Sequence, residues 1–261
     1  MAKINYYIDF EFLEGTQKNL FGFTTKPTIE MISIGVASDD DRQFYAISKD
    51  FNLKEAWTRA DVENKNGTTV KTYWLRENVL QPIFRELVLQ LFADETYDGS
   101  RTIGFDYESM KFLIQRYGMS RKQIRWDLTK FLLDPNDELL NDWLGDMDSY
   151  FKTITENNFT DVRLYGYYSA FDHVCLSWIY GKMINLPEGI PMYTRDLKQT
   201  MDEIVEELYE SDRLLALGQK VDNFKSRKGY PEAVNCHNAL SDALWNKQLH
   251  DFLMTTKHRF L

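Results

Sequence analysis

Cysteine is scarce in this sequence. Cys175 and Cys236 are the two it contains, and they form neither a Cys-x-x-Cys pair nor a zinc-binding spacing. Each is read as a buried thiol, because free cysteine is among the most buried residue types. Long apolar runs are missing too: there is no apolar leader core, and no stretch nears the ~18 apolar residues of a membrane span. A soluble, cytoplasmic protein without a membrane partner is the expectation, and the Asn-x-Thr sequons at Asn66 and Asn158 are then chance matches. Positive charge is in the minority, with 31 Lys and Arg against 40 Asp and Glu and a formal net charge of −9. That argues against coating of long nucleic acid, which depends on cations neutralising phosphates. It leaves room for chemistry at a strand end, where bound divalent cations offset carboxylates locally. Internal repeats, low-complexity tracts and Pro/Gly/Ser-rich linkers are also lacking, so residues 1–261 are read as one domain. Hydrophobic residues at 43% and aromatics at 15% can fill a sizeable core.

Residues 4–13 alternate as a strand does, with Tyr6, Ile8, Phe10 and Phe12 on one face and Tyr7, Asp9 and Glu11 on the other. Residues 28–36 and 42–47 read as further strands around the turn signal at 38–41, and the short connections make an antiparallel meander. Residues 15–27 and 52–72 are polar; the first reads as a loop, the second as a loop or a ragged helix. Helical patterns cover 74–92 with Pro82 near a break, 107–117 closed by Gly118, and 121–133 capped by Ser120. An acidic amphipathic helix is predicted over 137–155. A strand over 162–168, a helix over 171–183 and a short strand over 192–194 follow. Then come an acidic helix over 196–217, a basic loop over 218–235 and a helix over 237–252. This order gives an α/β architecture, a mixed sheet flanked by helices.

Three features carry chemistry. Asp9 and Glu11 stand at i and i+2 on a strand, so both point to one face. Two adjacent carboxylates on an internal strand repel, and a hard divalent cation between them resolves the conflict. A solvated strand face or a salt bridge would give the same pair. Asp172 lies where a predicted strand passes into a helix; a helix-start acid favoured by the helix dipole is its bland role. His173 beside it reads as a packing or surface histidine. His237 and Asp242 lie five residues apart at a helix start, ~140° apart around the axis. They can share a ligand if His237 sits in the frayed first turn. A helix-start histidine and a surface acid are the alternative.

Taken together, Asp-x-Glu on a first strand, Asp at a strand-to-helix junction and His-x4-Asp near the C-terminus follow the order of the His-containing DEDD exonucleases. The resemblance extends to Glu30-Met-Ile-Ser-Ile-Gly-Val, Tyr45-Ala-Ile-Ser, Trp74-Leu-Arg-Glu-Asn-Val-Leu, Tyr167-Tyr-Ser-Ala-Phe-Asp-His-Val and Pro191-Met-Tyr-Thr-Arg-Asp-Leu-Lys-Gln. These look like the mycobacterial-type 3′–5′ exoribonuclease family, also described as polyadenylate-specific 3′-exoribonucleases. The element order then fits a ribonuclease H-like five-stranded sheet, three antiparallel strands followed by two parallel ones. Residues 94–118 and 134–160 look longer than the compact family pattern and read as helical insertions. Ser169 stands where relatives often carry Asn or Gly, and Ser241 where they often carry Ala.

The resemblance implies that Asp9, Glu11, Asp172 and Asp242 hold two Mg²⁺ or Mn²⁺ ions and that His237 is the general base, a task that suits histidine. The implied partner is the 3′ end of single-stranded RNA, with DNA as the alternative, since sugar choice depends on pocket contacts. A non-catalytic nucleic-acid-binding module of the same fold is the rival of another class. Phe12 and Leu13 are candidates to wedge or stack against the terminal base, with a core role for Phe12 as the alternative. Arg195 and the basic residues at 225–228 are candidates for phosphate contacts, and Asp196 is a structural partner for that arginine or a support to the site. Related exonucleases dimerise, so a homodimer is also implied.

Overall fold

The computed structural model describes residues 2–18, 24–65, 68–134, 149, 152–153, 160–210 and 216–260. Strand β1 (Ala2–Lys18) pairs antiparallel with β2 (Thr24–Ser38), and β2 pairs antiparallel with β3 (Gln43–Ile47). On its other edge β1 runs parallel to β6 (Thr160–Gly166), and β6 runs parallel to β7 (Arg195–Asp196). The spatial order is β3-β2-β1-β6-β7. Three antiparallel strands followed by two parallel ones, flanked by helices, form the expected ribonuclease H-like sheet.

The face of β1 carrying Tyr6, Ile8 and Phe10 packs with Val162 and Leu164 of β6 against α4 (Arg121–Leu133) and α5 (Ala170–Ile179). Between Glu11 and Phe12 the register with β2 slips: Glu11 faces Ser33, whereas Phe12 faces Met31. Ile32 is the extra residue of a β-bulge. Ile29 and Met31 before it enter the same core as Ile34 and Val36 after it. Strict alternation would have sent the two pairs to opposite faces. Ile32 itself joins Leu13 in a second core with α1 (Leu53–Thr58), α2 (Gln81–Ala93) and α3 (Tyr107–Tyr117). A third core lies between α6 (Leu197–Leu208), α7 (Leu217–Lys225) and α8 (Ala239–Phe260).

Where capping chemistry is explicit, helix bounds match the sequence pattern. Asp106 accepts from the Ser109 N–H at 2.9 Å to start α3, and Ser120 accepts from the Gln123 N–H at 3.2 Å to start α4. Polar segments were harder to place. Residues read as a loop at 15–27 extend the β1–β2 ladder, with Gln17 opposite Lys26. Backbone pairing needs no apolar side chain, and the β-branched threonines there favour extended chain. In 52–72, α1 is followed by a hairpin of β4 (Asp61–Lys65) and β5 (Thr68–Thr72) on either side of Asn66-Gly67. Asn-Gly is a strong hairpin signal, which the polar flanks obscured.

Five further expectations change. The helix at 74–92 opens with a π-helical turn, Arg76–Leu80, and Pro82 falls in the first turn of α2, where its missing N–H costs little. The short strand is Arg195–Asp196 rather than 192–194. The acidic helix expected over 196–217 ends at Leu208, and much of the basic loop expected over 218–235 is α7. The last helix continues to Phe260. The predicted helix at 137–155 and the insertion at 134–160 lie mostly outside the described residues. Cys175 is buried in the first core, as expected, whereas Cys236 is exposed in the loop before α8. Among the described residues, no helix is long and apolar enough to cross a membrane.

Helix α8 lies across β1 and β2 on the face opposite the first core, where Tyr7, Ala37 and Ala243 are buried together. Small residues let the backbones approach. A Cβ on Gly35 would stand 2.2 Å from the Ala239 carbonyl, and Gly35 pairs with Asp9. The side chain of Asn246, buried in α8, donates to the Ile8 carbonyl at 3.0 Å and fixes the helix to β1. Gly35→Ala must therefore displace the first turn of α8. Urea denaturation of this variant is expected to show a loss of about 1–3 kcal/mol, the usual cost of overpacking.

Candidate active site

The bulge follows Glu11, so Asp9 and Glu11 still share the face on which α8 lies. Asp172 comes from the first turn of α5. Its Oδ1 accepts the Phe10 N–H at 3.0 Å, which holds α5 to β1 between the two other carboxylates. Asp242 comes from the first turn of α8 and accepts the His237 N–H at 2.8 Å through Oδ2. The rotation around a helix axis was thus no obstacle: His237 precedes the helix, and it meets Asp242 through its backbone. Its Nδ1 lies 3.9 Å from Oε1 of Glu11. All five residues line one cleft of about 540 Å³.

Two turns beside this cleft use backbone that side chains seldom adopt. His237 has φ 64° and Tyr168 has φ 56°. For such residues the left-handed region costs on the order of 1–2 kcal/mol, and it persists where the surroundings over-determine it. The Tyr168 turn is held by Asp196, which accepts from the Ser169 N–H at 3.0 Å and from the Lys198 N–H at 2.7 Å. Asp196 therefore braces the turn that precedes Asp172 and caps α6. His173 is half-buried, with Nδ1 3.1 Å from the Thr194 hydroxyl, in a packing role.

Burial places the carboxylates under electrostatic stress. Glu11 and Asp172 are 8% and 5% exposed. Burial, then Asp242 and Asp172, push Glu11 from its ordinary 4.5 to about 8. Burial pushes Asp172 from 3.8 to about 7 despite the bond from Phe10, with Asp196 adding to the rise. Asp9 is raised by burial first and then by Asp172, Glu11 and Asp242. Asp242 is raised by burial, against the His237 N–H. No Lys or Arg is among the residues lining this cleft. Glu11, His237 and Asp242 each present a ligand atom, all within 4.8 Å of one another. Four converging carboxylates without a basic side chain suit hard divalent cations, whose charge would relieve the repulsion.

The other walls are aromatic. Phe12 is half-buried: it packs on the first core and also lines the cleft, with its ring centroid 5.8 Å from that of Phe171. Trp74 meets the His237 ring edge-on at 4.8 Å, and Tyr167, Tyr168 and Trp245 also line the cleft. Other candidates for substrate contact lie elsewhere. Leu13 is buried in the second core, because it sits one residue past Phe12 and so on the opposite face. Arg195 is exposed at the edge strand, beside Tyr165 and Tyr193. Arg227 and Lys228 line a separate hollow with Phe252 of α8. Sequence reasoning missed Trp245 as a lining residue; Trp74, Tyr167, Tyr168 and Phe171 were visible only as parts of motifs.

By sequence the chain is similar to 3′-5′ exoribonuclease Rv2179c of Mycobacterium tuberculosis strain H37Rv and to 3′-5′ exoribonuclease MT2234.1 of strain CDC 1551. It is 26% identical to each over 201 residues, covering 77% of this chain and 75% of either relative. These are of the mycobacterial-type family that the motifs indicated. No family model matches the chain.

The raised carboxylates have a direct consequence for the metal-free protein. Between the ordinary and the folded pKa values the folded state holds protons that the unfolded state has lost. The stability that these carboxylates contribute is therefore greatest below about 4 and is lost as pH rises towards about 8. Thermal melts in chelator should follow this slope, and Mn²⁺ should flatten it. Asp9→Asn should stabilise the chelated protein at pH 8, because it removes a buried charge that Asp172, Glu11 and Asp242 repel. It should also weaken Mn²⁺ binding. A chelated wild type whose melting temperature falls no more steeply between about pH 5 and 8 than that of Asp9→Asn would contradict the electrostatic account.

Proposed function

We propose that the protein is a divalent-cation-dependent 3′–5′ exoribonuclease that releases nucleoside 5′-monophosphates from single-stranded RNA. The observation that carries this reading is the convergence of Asp9, Glu11, Asp172 and Asp242 with His237 on one aromatic-walled cleft. The names of the two relatives support the reaction class and the choice of RNA.

When bound by the four carboxylates, two Mg²⁺ or Mn²⁺ ions would supply Lewis-acid charge to the scissile phosphodiester. His237 has a ring that is 42% exposed, so a water in the cleft can reach it. It accepts one proton of the water as the water oxygen bonds to phosphorus and the P–O3′ bond breaks, and the departing O3′ takes up a proton from solvent. The shortened strand keeps a 3′ hydroxyl and the terminal nucleotide leaves as its 5′-monophosphate. The Asp242 carboxylate fixes the His237 backbone, and Glu11 stands beside the ring. Phe12 with Phe171 on one side and Trp74 on another offer faces for the terminal bases, each stack contributing ~1–3 kcal/mol. With no basic side chain in the lining, grip on the strand end rests on these faces and on the cations.

Matched RNA and DNA oligonucleotides labelled at the 5′ end test the reading. With Mn²⁺, the RNA should shorten stepwise from its 3′ end, the DNA more slowly, and neither with chelator. Binding of RNA without release of mononucleotide would make the protein a non-catalytic module instead. Asp9→Ala should abolish turnover and weaken metal binding. His237→Ala should lower turnover by roughly 10²–10⁴-fold and leave Mn²⁺ binding, followed by calorimetry, largely intact. Equal loss of metal in both variants would break the division of roles.

A further inference from the structure

His237 must keep a left-handed backbone, and its N–H bond to Asp242 holds one side of it. The other side is held through Asn238, the next residue, which is 7% exposed. Its Oδ1 accepts the Ser241 N–H at 3.0 Å and so caps α8. Its Nδ2 donates to Glu86 Oε2 at 3.1 Å, with the Tyr45 hydroxyl farther off at 3.5 Å. Glu86 belongs to α2 and Tyr45 to β3, elements that pack on the second core. Tyr45 also hydrogen-bonds Glu86. The carboxylate thus serves an amide and a phenol, and no Lys or Arg pairs with it among the described residues. A half-buried carboxylate without a cation is a costly way to secure one helix start.

The same helical segment touches His237 a second time. Trp74, at the head of the π-helical turn that leads into α2, meets the His237 ring at 4.8 Å. The Asn78 side chain donates to the Trp74 carbonyl at 3.0 Å, which ties the tryptophan to that turn. π-helical turns often mark functional positions. Trp74 bounds the ring of His237, and Glu86 fixes the residue beside its backbone.

We propose that Glu86 is a positioning residue for the reaction, holding the His237 ring over the carboxylates through Asn238. The proposal rests on the reading of His237 as the proton acceptor. Removing the carboxylate leaves the Asn238 side chain held by its cap to Ser241 without the bond to α2, and the left-handed turn loses one of its two anchors. Small displacements of a catalytic group cost rate steeply, up to roughly a hundredfold for about 1 Å. Glutamine keeps an acceptor oxygen for Asn238 and should restore the arrangement.

The test uses the full chain carrying Glu86→Ala or Glu86→Gln. Glu86→Ala is expected to lower kcat on a 5′-labelled RNA roughly ten- to a hundredfold. KM and Mn²⁺ affinity should change by less than about twofold, and Glu86→Gln should recover most of the rate. Unchanged kcat in Glu86→Ala, a loss that follows the folded fraction by circular dichroism, or a glutamine variant as slow as the alanine one would overturn the proposal. Histidine-ring NMR, assigned with His237→Ala, reads the geometry separately from turnover. The His237 signals should move in Glu86→Ala and return in Glu86→Gln; signals that stay in place refute the positioning role even in an active enzyme. Failure of the wild type to release mononucleotide counts against the exonuclease reading, and the NMR result then decides the role of Glu86 by itself.

Discussion

Much of the molecule depends on how closely α8 can approach the sheet. At Gly35 the strand has no side chain, and the space where one would stand is filled by the backbone of Ala239. That contact sets the height of the first turn of α8 above β1, and with it the position of Asp242 relative to Glu11. Asn246 fixes the same helix one level further along, through the Ile8 carbonyl. The loop carrying His237 must then close a short gap between the preceding segment and the helix, and it does so with left-handed backbone at Asn235 and His237. The strain near the site is the geometric result of a helix seated this tightly.

A second constraint opposes the first. Packing that draws β1, α5 and α8 together also draws their carboxylates together, and burial raises every one of them. Backbone donors answer part of this: Phe10 donates to Asp172 and His237 to Asp242. Among the described residues, no such donor bond relieves the rise of Asp9 or of Glu11. The site is organised by the protein and left electrostatically incomplete, a state in which a hard cation is the cheapest remedy.

The sequence was informative wherever a side chain has one dominant physical role. Alternation placed Tyr6, Ile8 and Phe10 in the core and Asp9 and Glu11 opposite them; the caps at Asp106 and Ser120 started their helices where side-chain oxygens meet free N–H groups. It was uninformative where backbone pairing alone decides, as in the extension of β1 to Lys18 and the hairpin around Asn66-Gly67. The carboxylate set was legible from its order along the chain, whereas its aromatic walls were not. Trp74, Phe171 and Trp245 lie far apart in sequence, and only tertiary packing turns them to one cleft. Leu13 illustrates the opposite error, since adjacency in sequence to Phe12 means opposite faces on a strand. The bulge at Ile32 is invisible to any strictly alternating pattern.

The four carboxylates of the cleft come from distant parts of the sequence, Asp9 and Glu11 early, Asp172 in the middle and Asp242 late. Chains are synthesised from the N-terminus, and contacts so distant in sequence form late. A nascent polypeptide therefore presents the strand pair of carboxylates long before the helix that completes the set has left the ribosome. Any chemistry that needs all four must wait until α8 has been made and has docked on the sheet.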